Sequence, residues 1–325
     1  MVKFRTTFEI PQSEKKISLN DKIISIGSCF AENISKKLEY FGYNVINNPF
    51  GIIYNPLSVC NSLNHLVNNK SFTEKDLHKH NEIWHSWDHH SRFSSKDIDS
   101  ALENMNEASK KASTQLKNAD WLIITLGSSF TFYLKNENKI VNNCHKHPAD
   151  KFTREMSTPE KMLKAFESVL PKLSSETKII LTISPVRYIR DGFPENQSSK
   201  ARLFYLKDLL KEKYKEHLFY FPSYELMMDD LRDYRFYNED MLHPNDQAID
   251  YIWQKFSEAV TRQEDKAIIQ RVDKLRKNLG HRALFPNSEA HKLLVKKTNE
   301  ELTELKKILP HLSAKISTEI TTSDS

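Results

Sequence analysis

Residues 21–31, with the sequence DKIISIGSCFA, constrain the fold of this chain more than any other stretch. The apolar run around Ile24 is typical of a short buried strand, and after Gly27 apolar residues recur at helical spacing over residues 30–41. A strand that turns directly into a helix predicts an α/β sheet, with the turn at the carboxyl end of the strand, where ligands bind. The Ser28 hydroxyl is then expected near helix amides that favour negative charge. Taken alone, this stretch favours an ordinary turn whose glycine serves only the backbone.

Two later apolar runs repeat this arrangement of a strand followed by small polar residues. Residues 121–126 lead into Gly127, Ser128 and Ser129, and residues 178–183 lead into Ser184. The alternation of buried strands with amphipathic helices predicts a three-layer α/β fold with a central, mostly parallel sheet. The predicted helices span residues 30–41, 97–118, 158–172, 200–216 and 246–263, and shorter strands are expected over 43–46 and 218–221.

Two segments outside these elements are predicted to have other roles. Residues 1–20 are expected to form an edge strand or a strap against the main domain. Residues 187–200 contain Gly, Pro, Asn and Ser, and they predict a long loop that acts as a lid or binds substrate.

The composition indicates a globular chain and gives no sign of a membrane or nucleic-acid partner. Of the 325 residues, 38% are hydrophobic and 28% are charged. No apolar run approaches the roughly 18 residues of a membrane helix. The net charge of +5 is spread over mixed-sign segments without a block of basic residues interleaved with aromatics. The N-terminus lacks an apolar signal sequence, and Cys29, Cys60 and Cys144 are too scattered for a disulfide framework, so a cytoplasmic location is expected.

Residues 78–90 are rich in histidine and tryptophan, with the sequence HKHNEIWHSWDHH. Neutral imidazole is a common metal ligand, but neither an H-E-x-x-H pattern nor a recognisable spacing of Cys or carboxylate ligands is present. The segment therefore predicts a surface loop or ribbon packed by Trp84 and Trp87, and no metal site. For Trp87, His89 or His90, contact with substrate is favoured over metal binding.

Asp240 and His243 stand three residues apart near the end of the predicted α/β region. At this spacing the carboxylate can accept a hydrogen bond from one imidazole nitrogen, while the other nitrogen accepts a proton from a nucleophile. The alternative for this pair alone is a capping aspartate beside a surface histidine. Their position directly before a long amphipathic helix, at the end of the α/β part, favours the functional interpretation.

The letters GSCFA at residues 27–31 resemble the signature for which the GSCFA family is named, a family of the broad SGNH/GDSL hydrolase group. The resemblance covers about residues 20–260 and implies an SGNH- or flavodoxin-like fold. It implies Ser28 as the nucleophile, and it matches Asp240 and His243 to the Asp-x-x-His block of SGNH enzymes.

The same resemblance implies an oxyanion hole, with one departure from the pattern of the group. Gly51 matches the block whose glycine amide holds the oxyanion, although a simple turn glycine is an equal alternative. Gly127 opens the Gly-x-Asn block, but Ser129 occupies the Asn position. Asn143 is the candidate replacement, with a turn-capping residue as the alternative. It lies in an Asn-Cys-His segment, ending at His145, that also resembles the family.

Together these residues predict a serine esterase or acyltransferase that needs no metal or organic cofactor. The expected substrate is a small ester or an acylated carbohydrate or peptide. Arg187 is a candidate for holding an anionic substrate group, with a surface ion pair as the alternative. Two other hypotheses stay open. One is Cys29 as the nucleophile, and the other is a non-catalytic ligand-binding or interaction protein that retains the fold.

The composition changes after about residue 265 and predicts three regions. Residues 1–263 are expected to form the hydrolase-like domain, residues 264–312 a C-terminal helical extension, and residues 313–325 a disordered tail. Helical patterns over 266–279 and 289–308 predict either a hairpin that supports an oligomer or packing against the main domain. The apolar positions of the second pattern are Leu293, Leu294, Leu302, Leu305 and Ile308.

Overall fold

A five-stranded parallel sheet forms the centre of the fold in the computed structural model, which describes residues 5–281 and 283–312. The spatial order of its strands is β10 (Leu218–Phe221), β9 (Lys178–Ile183), β5 (Trp121–Leu126), β1 (Lys22–Gly27) and β2 (Asn44–Asn47). Counted along the chain, this is the 2-1-3-4-5 order of flavodoxin-like sheets. The predicted α/β class is therefore confirmed, and the predicted strands are present within one residue at each end.

Helices cover both faces of the sheet, because successive residues of each buried strand point to opposite sides. Ile24 and Leu122 face one apolar core, whereas Ile23 and Ile123 face the other. The first core is covered by α2 (Pro56–Val67), α3 (Ile98–Leu116), α4 (Pro159–Val169) and α5 (Phe193–Lys213). The second is covered by α1 (Cys29–Tyr40), α7 (Asp246–Val260), α8 (Lys266–Leu279) and α9 (Glu289–Ile308), and the short α6 (Ser223–Glu225) follows β10. None of the helices in the described ranges is long and apolar enough to cross a membrane.

Two small antiparallel sheets accompany the central one. The histidine-rich segment forms a hairpin of β3 (Leu77–His80) and β4 (Ile83–Ser86), as predicted for a ribbon. The second sheet was not predicted from the sequence, and it places β6 (Phe130–Leu134) between β7 (Lys139–Val141) and β8 (Phe152–Met156). These strands are short and only partly buried, so their sequences lack the continuous apolar run that marks the central strands.

The predicted long loop over residues 187–200 is wrong in its second half. Helix α5 begins at Phe193, so its first turns occupy residues that were assigned to the loop. The glycine and proline of this segment mark a helix start, since Gly192 is the N-cap and Pro194 lies in the first turn, where its missing N–H is tolerated.

The N-terminal segment forms the expected strap, with a bridge between Ile17 and Thr261 in place of a full edge strand. The amide of Ser13 also donates to the carbonyl of Ala259 at 3.0 Å. Residues 313–325, predicted to be disordered, lie outside the described residues.

The C-terminal helices pack against the main domain. Leu302, Leu305 and Val272 are buried in the second core, whereas Leu293 and Ile308 remain exposed. The apolar positions of α9 were predicted either to support an oligomer or to pack against the main domain. The buried positions, Leu302 and Leu305, support packing against the main domain. An oligomer through these helices stays a prediction.

Five histidine rings form a cluster between the β3–β4 hairpin and the segment after β7. His78 stacks on Trp87 with 3.5 Å between ring centroids, and His80 stacks on His147 at 3.8 Å. His85 and His145 complete the group at 4.4 Å from each other. Burial, followed by repulsion between neighbouring imidazoles, lowers the pKa of His78 to about 3. Both ring nitrogens of His78 are buried, and neither forms a hydrogen bond within the described residues.

This cluster predicts a loss of stability in mild acid. In the unfolded chain, His78, His85, His145 and His147 bind protons as the pH falls below 6.5, their ordinary pKa. In the folded cluster, burial lowers the pKa of all four, so that they resist protonation. The free energy of unfolding should therefore fall as the pH drops from 6.5 towards 4. His78→Phe keeps a ring stacked on Trp87 and should show a shallower fall in urea midpoint between pH 7 and pH 5. His281→Gln, at an exposed histidine, is the control and should keep the wild-type slope. Equal slopes in all three proteins would contradict the assignment.

Candidate active site

The turn that holds Ser28 lies at the topological switch point of the sheet. Strands β1 and β5 are neighbours, but the helices that follow them in the chain, α1 and α4, cover opposite faces. In sheets of this kind, ligands bind outside the carboxyl ends of the strands at such a point. The two strand ends are joined directly, since the amide of Ser28 donates to the carbonyl of Thr125 at 3.2 Å.

Ser28 has a structural role besides its predicted role as the nucleophile. It is the N-cap of α1, and its hydroxyl oxygen accepts a hydrogen bond from the amide of Phe30 at 3.2 Å. The hydroxyl keeps its own proton available for donation. The residue is 0% exposed, so a substrate reaches Ser28 only after the side chains around it move.

Asp240 and His243 form the predicted pair. Oδ2 of Asp240 lies 2.6 Å from Nδ1 of His243, and Oδ1 accepts from the amides of Leu242 and His243 at 2.8 and 3.0 Å. These three hydrogen bonds lower the pKa of Asp240 to about 2, the two backbone amides contributing most. The carboxylate thus shapes its turn and orients the imidazole.

The turn is held at the same edge of the sheet as Ser28. Arg187, just beyond the end of β9, donates its amide to the carbonyl of Leu242 at 3.3 Å. Its guanidinium lies over the ring of Tyr237 at 4.3 Å, and its Nε donates to the Tyr237 hydroxyl at 3.3 Å. Within the described chain, no hydrogen bond joins Ser28 to His243, whose side chain is 43% exposed. The structure places the three residues at one edge and brings only two of them into contact.

The glycines predicted for the oxyanion hole have their amides engaged elsewhere. The Gly51 amide donates to the carbonyl of Asn48 at 2.7 Å, and the Gly127 amide donates to the carbonyl of Tyr54 at 2.7 Å. In this conformation neither amide is free to bind an oxyanion. Both positions need glycine for space instead: a Cβ on Gly51 would lie 2.2 Å from the Cβ of His90, and one on Gly127 would lie 2.6 Å from the Tyr188 hydroxyl.

The other candidates near these glycines are tied into local structure. Ser129 is buried, and both its amide and its hydroxyl donate to the hydroxyl of Ser199 on α5, at 2.8 and 3.1 Å. Asn143 accepts from the amide of His145 at 2.9 Å, which is the turn-capping alternative. The ring of His145 lies 2.8 Å from the carbonyl of Ser86 and belongs to the histidine cluster.

Asn48 is a residue that the sequence interpretation missed. It is 0% exposed, and its Oδ1 accepts from the amide of Gly27, directly before Ser28, at 2.8 Å. Its Nδ2 is buried, and no acceptor for it exists within the described residues. An unpaired buried donor costs about 1–3 kcal/mol, so such a group is uncommon without a function. Nothing in the sequence separates Asn48 from the other loop asparagines, since its burial depends on the pairing of β1 with β2.

Tyr188 and Lys200 are two further residues that the sequence did not indicate. Burial raises the pKa of Tyr188. Its hydroxyl also lies close to the hydroxyls of Ser28 and Ser184, which oppose this rise by favouring the ionised form. Its ring stacks on Tyr54 with 5.0 Å between centroids. Lys200 is 1% exposed, and its Nζ donates to the carbonyl of Ser184 at 2.7 Å.

Cys29, the alternative nucleophile, is a free thiol in a partly buried position. Burial raises its pKa, which opposes a resting thiolate. Among the described residues, no group of three or more His, Cys, Asp or Glu side chains is placed to hold a metal ion. The five clustered histidines are therefore not arranged as metal ligands.

Comparison with known families agrees with the position of the GSCFA letters in this turn. The GSCFA family matches residues 22–256, which cover the central sheet, Ser28 and the Asp240–His243 turn. A second profile, described as the C-terminal domain of GSCFA domain proteins, matches residues 272–324. No curated protein matches the chain significantly. Since the first match alone covers more than half of the sequence, the chain belongs to the GSCFA family.

Proposed function

We propose that this protein is an SGNH-type serine hydrolase, an esterase or acyltransferase that works through an acyl-serine intermediate on Ser28. The observation that carries the proposal is the hydrogen-bonded Asp240–His243 pair, held at the sheet edge where Ser28 caps α1. With Nδ1 directed at Asp240, the neutral imidazole presents Nε2 as its basic nitrogen. Membership of the GSCFA family supports the choice of the turn at residues 27–31 as the site of the nucleophile. The relationship to SGNH hydrolases is part of the proposal.

The proposed reaction follows from the groups at this edge. Nε2 of His243 takes the proton of Ser28, and Oγ attacks the carbonyl carbon of an ester, so that the carbonyl oxygen becomes an anion. The leaving alcohol departs with the proton from His243, which leaves an acyl group on Ser28. Water or a second alcohol then takes the acyl group through the same steps in reverse. The proposed substrate remains a small ester or an acylated carbohydrate or peptide.

The contact between Ser28 and His243 must form during this reaction. His243 lies in an exposed turn, and catalytic hydrogen bonds often tighten only when substrate is bound. The proposed rearrangement moves Tyr188 away from Ser28, because its hydroxyl occupies the space beside Ser28 and Gly127. A binding protein that retained the fold would have no need of this movement.

The first prediction concerns the nucleophile and the base. Ser28→Ala and His243→Ala should each lower kcat on short-chain nitrophenyl esters by roughly a thousandfold or more, because the two residues act as one unit. Wild-type protein should react with a fluorophosphonate at Ser28, as located by mass spectrometry of the labelled peptide. Labelling at another residue, or inactivation by iodoacetamide with protection by substrate, would replace Ser28 by Cys29 or another nucleophile. An inactive and unlabelled wild-type protein would favour the binding module.

A second prediction separates the two roles of Asp240. Asp240→Asn keeps an oxygen that accepts from the amides of Leu242 and His243 but removes the charge at Nδ1. It should lower kcat by less than His243→Ala does and leave the melting temperature unchanged. Asp240→Ala removes both the oxygen that accepts from the two amides and the charge at Nδ1, so it should lower both kcat and the melting temperature. Wild-type activity in Asp240→Asn would show that the pair is only a structural turn.

A third prediction concerns the side-chain donor of the oxyanion hole, which we assign to Asn48 rather than Asn143. The donor on Nδ2 gains a partner only when the oxyanion forms, so Asn48→Gly should lower kcat by roughly a hundredfold with little change in KM. Glycine is chosen because Asn48 has a φ of +43°, which alanine would resist.

The matched control is Asn143→Ala, which removes a turn cap. It should lower the melting temperature and keep kcat, because Asn143 is engaged with the amide of His145. A folded Asn48→Gly variant with normal kcat would remove Asn48 from the site. Loss of kcat in Asn143→Ala at an unchanged melting temperature would restore the original candidate.

A further inference from the structure

Lys200 is a buried lysine with no charged partner among the described residues. It lies on α5, is 1% exposed, and donates to the carbonyl of Ser184 at the end of β9 at 2.7 Å. No Asp or Glu of the described chain pairs with its ammonium group, and burial lowers its pKa to about 7. Charged groups are almost never fully buried without a partner, because desolvation opposes the charge. The position therefore requires an explanation beyond packing.

The surroundings of Lys200 connect it to the Ser28–Cys29 turn. Its ammonium lies 5.2 Å from the ring centre of Tyr188, whose hydroxyl is next to Ser28, and 5.4 Å from the ring centre of Tyr224. It is also close enough to Cys29 to favour the thiolate. The hydroxyl of the neighbouring Ser199 accepts from the amide of Ser129, just after β5, so Ser199 and Lys200 fasten α5 to the segments that follow β5 and β9.

We propose that Lys200 supplies a positive charge beside the Ser28–Cys29 turn, and that this charge stabilises anions formed there. For catalysis the inference rests on the proposed function, since the anion is then the tetrahedral intermediate on Ser28. No carboxylate of the described residues pairs with the ammonium, which gains an anionic partner as negative charge develops, so its effect is larger on the transition state than on the ground state. The N-terminus of α1 acts in the same direction.

Cys29 offers a probe of this charge that does not depend on esterase activity. The charged and titratable groups around the probe are Lys200 on α5, Glu32 on α1, Tyr54 after β2 and Tyr188 after β9. Of these, Lys200 is the one whose positive charge favours the Cys29 thiolate. The rate of iodoacetamide alkylation at Cys29, followed by mass spectrometry of the peptide, reports the thiolate fraction.

The experiment compares wild-type protein with Lys200→Met, Lys200→Arg and the control Lys211→Met, which changes an exposed lysine of the same helix. At pH 7, Lys200→Met should slow alkylation of Cys29 by roughly threefold or more, because the variant removes a positive charge that favours the thiolate. Lys200→Arg and Lys211→Met should alkylate near the wild-type rate. The difference between wild type and Lys200→Met should shrink towards pH 9, because Lys200 itself loses its proton as the pH rises. Melting temperatures identify any variant that has not folded.

The outcomes separate this inference from the proposed function. An alkylation rate in folded Lys200→Met that equals the wild-type rate at pH 7, or exceeds it, overturns the inference, whatever the esterase assays show. If the variant slows alkylation as expected, fluorophosphonate labelling of Ser28 then tests the catalytic consequence, and Lys200→Met should react about tenfold more slowly with partial rescue in Lys200→Arg. Slower alkylation together with an unlabelled wild-type Ser28 supports the charge at the turn and rejects the hydrolase.

Discussion

The parallel pairing of β1 with β5 is the constraint on which the rest of the site depends. It aligns Gly27 with Thr125 and lets the Ser28 amide donate to the Thr125 carbonyl. The chain leaves these two strands towards opposite faces, since α1 and α4 pack in different cores. Asn48, Tyr188 and Lys200 lie next to residues at or just after the carboxyl ends of the strands. A change of register by one residue would reverse the faces to which the side chains of a strand point and would separate Gly27 from Thr125.

The sequence predicted the central layers well because their signals are local. Continuous apolar runs such as WLIITL leave few alternatives to a buried strand. The helical spacing of apolar residues likewise stops close to where the helices end in the structure. The Asp240–His243 pair was also predictable, since a spacing of three residues in a tight turn brings the side chains together without help from distant parts of the chain. The error at residues 193–200 has a local cause too, because Gly and Pro can mark the start of a helix as well as a loop.

Residues of the site that depend on long-range packing could not be predicted in this way. Asn48, Asn142 and Asn143 look alike in the sequence, and only the pairing of β2 with β1 places the Asn48 carboxamide under Gly27. Lys200 is one of many lysines in charged helical patterns, and its burial depends on the contact of α5 with the ends of β5 and β9. Gly51 and Gly127 were predicted to serve an oxyanion hole, with a turn glycine as the equal alternative for Gly51, but their amides donate to the carbonyls of Asn48 and Tyr54.

The C-terminal helices act on this site from the opposite end of α1. The last turn of a helix leaves carbonyl groups without partners inside the helix. Arg276 of α8 donates to the carbonyl of Glu39 at 3.1 Å, and His311, after α9, lies with its Nε2 2.8 Å from the carbonyl of Gly42. Both contacts lie at the carboxyl end of α1, whose N-cap is Ser28 and whose first residue is Cys29, and the carbonyl of Glu39 accepts from the amide of Gly42 as well. Through these two contacts, residues of the segment that matches the C-terminal domain of GSCFA domain proteins support the helix that positions the site.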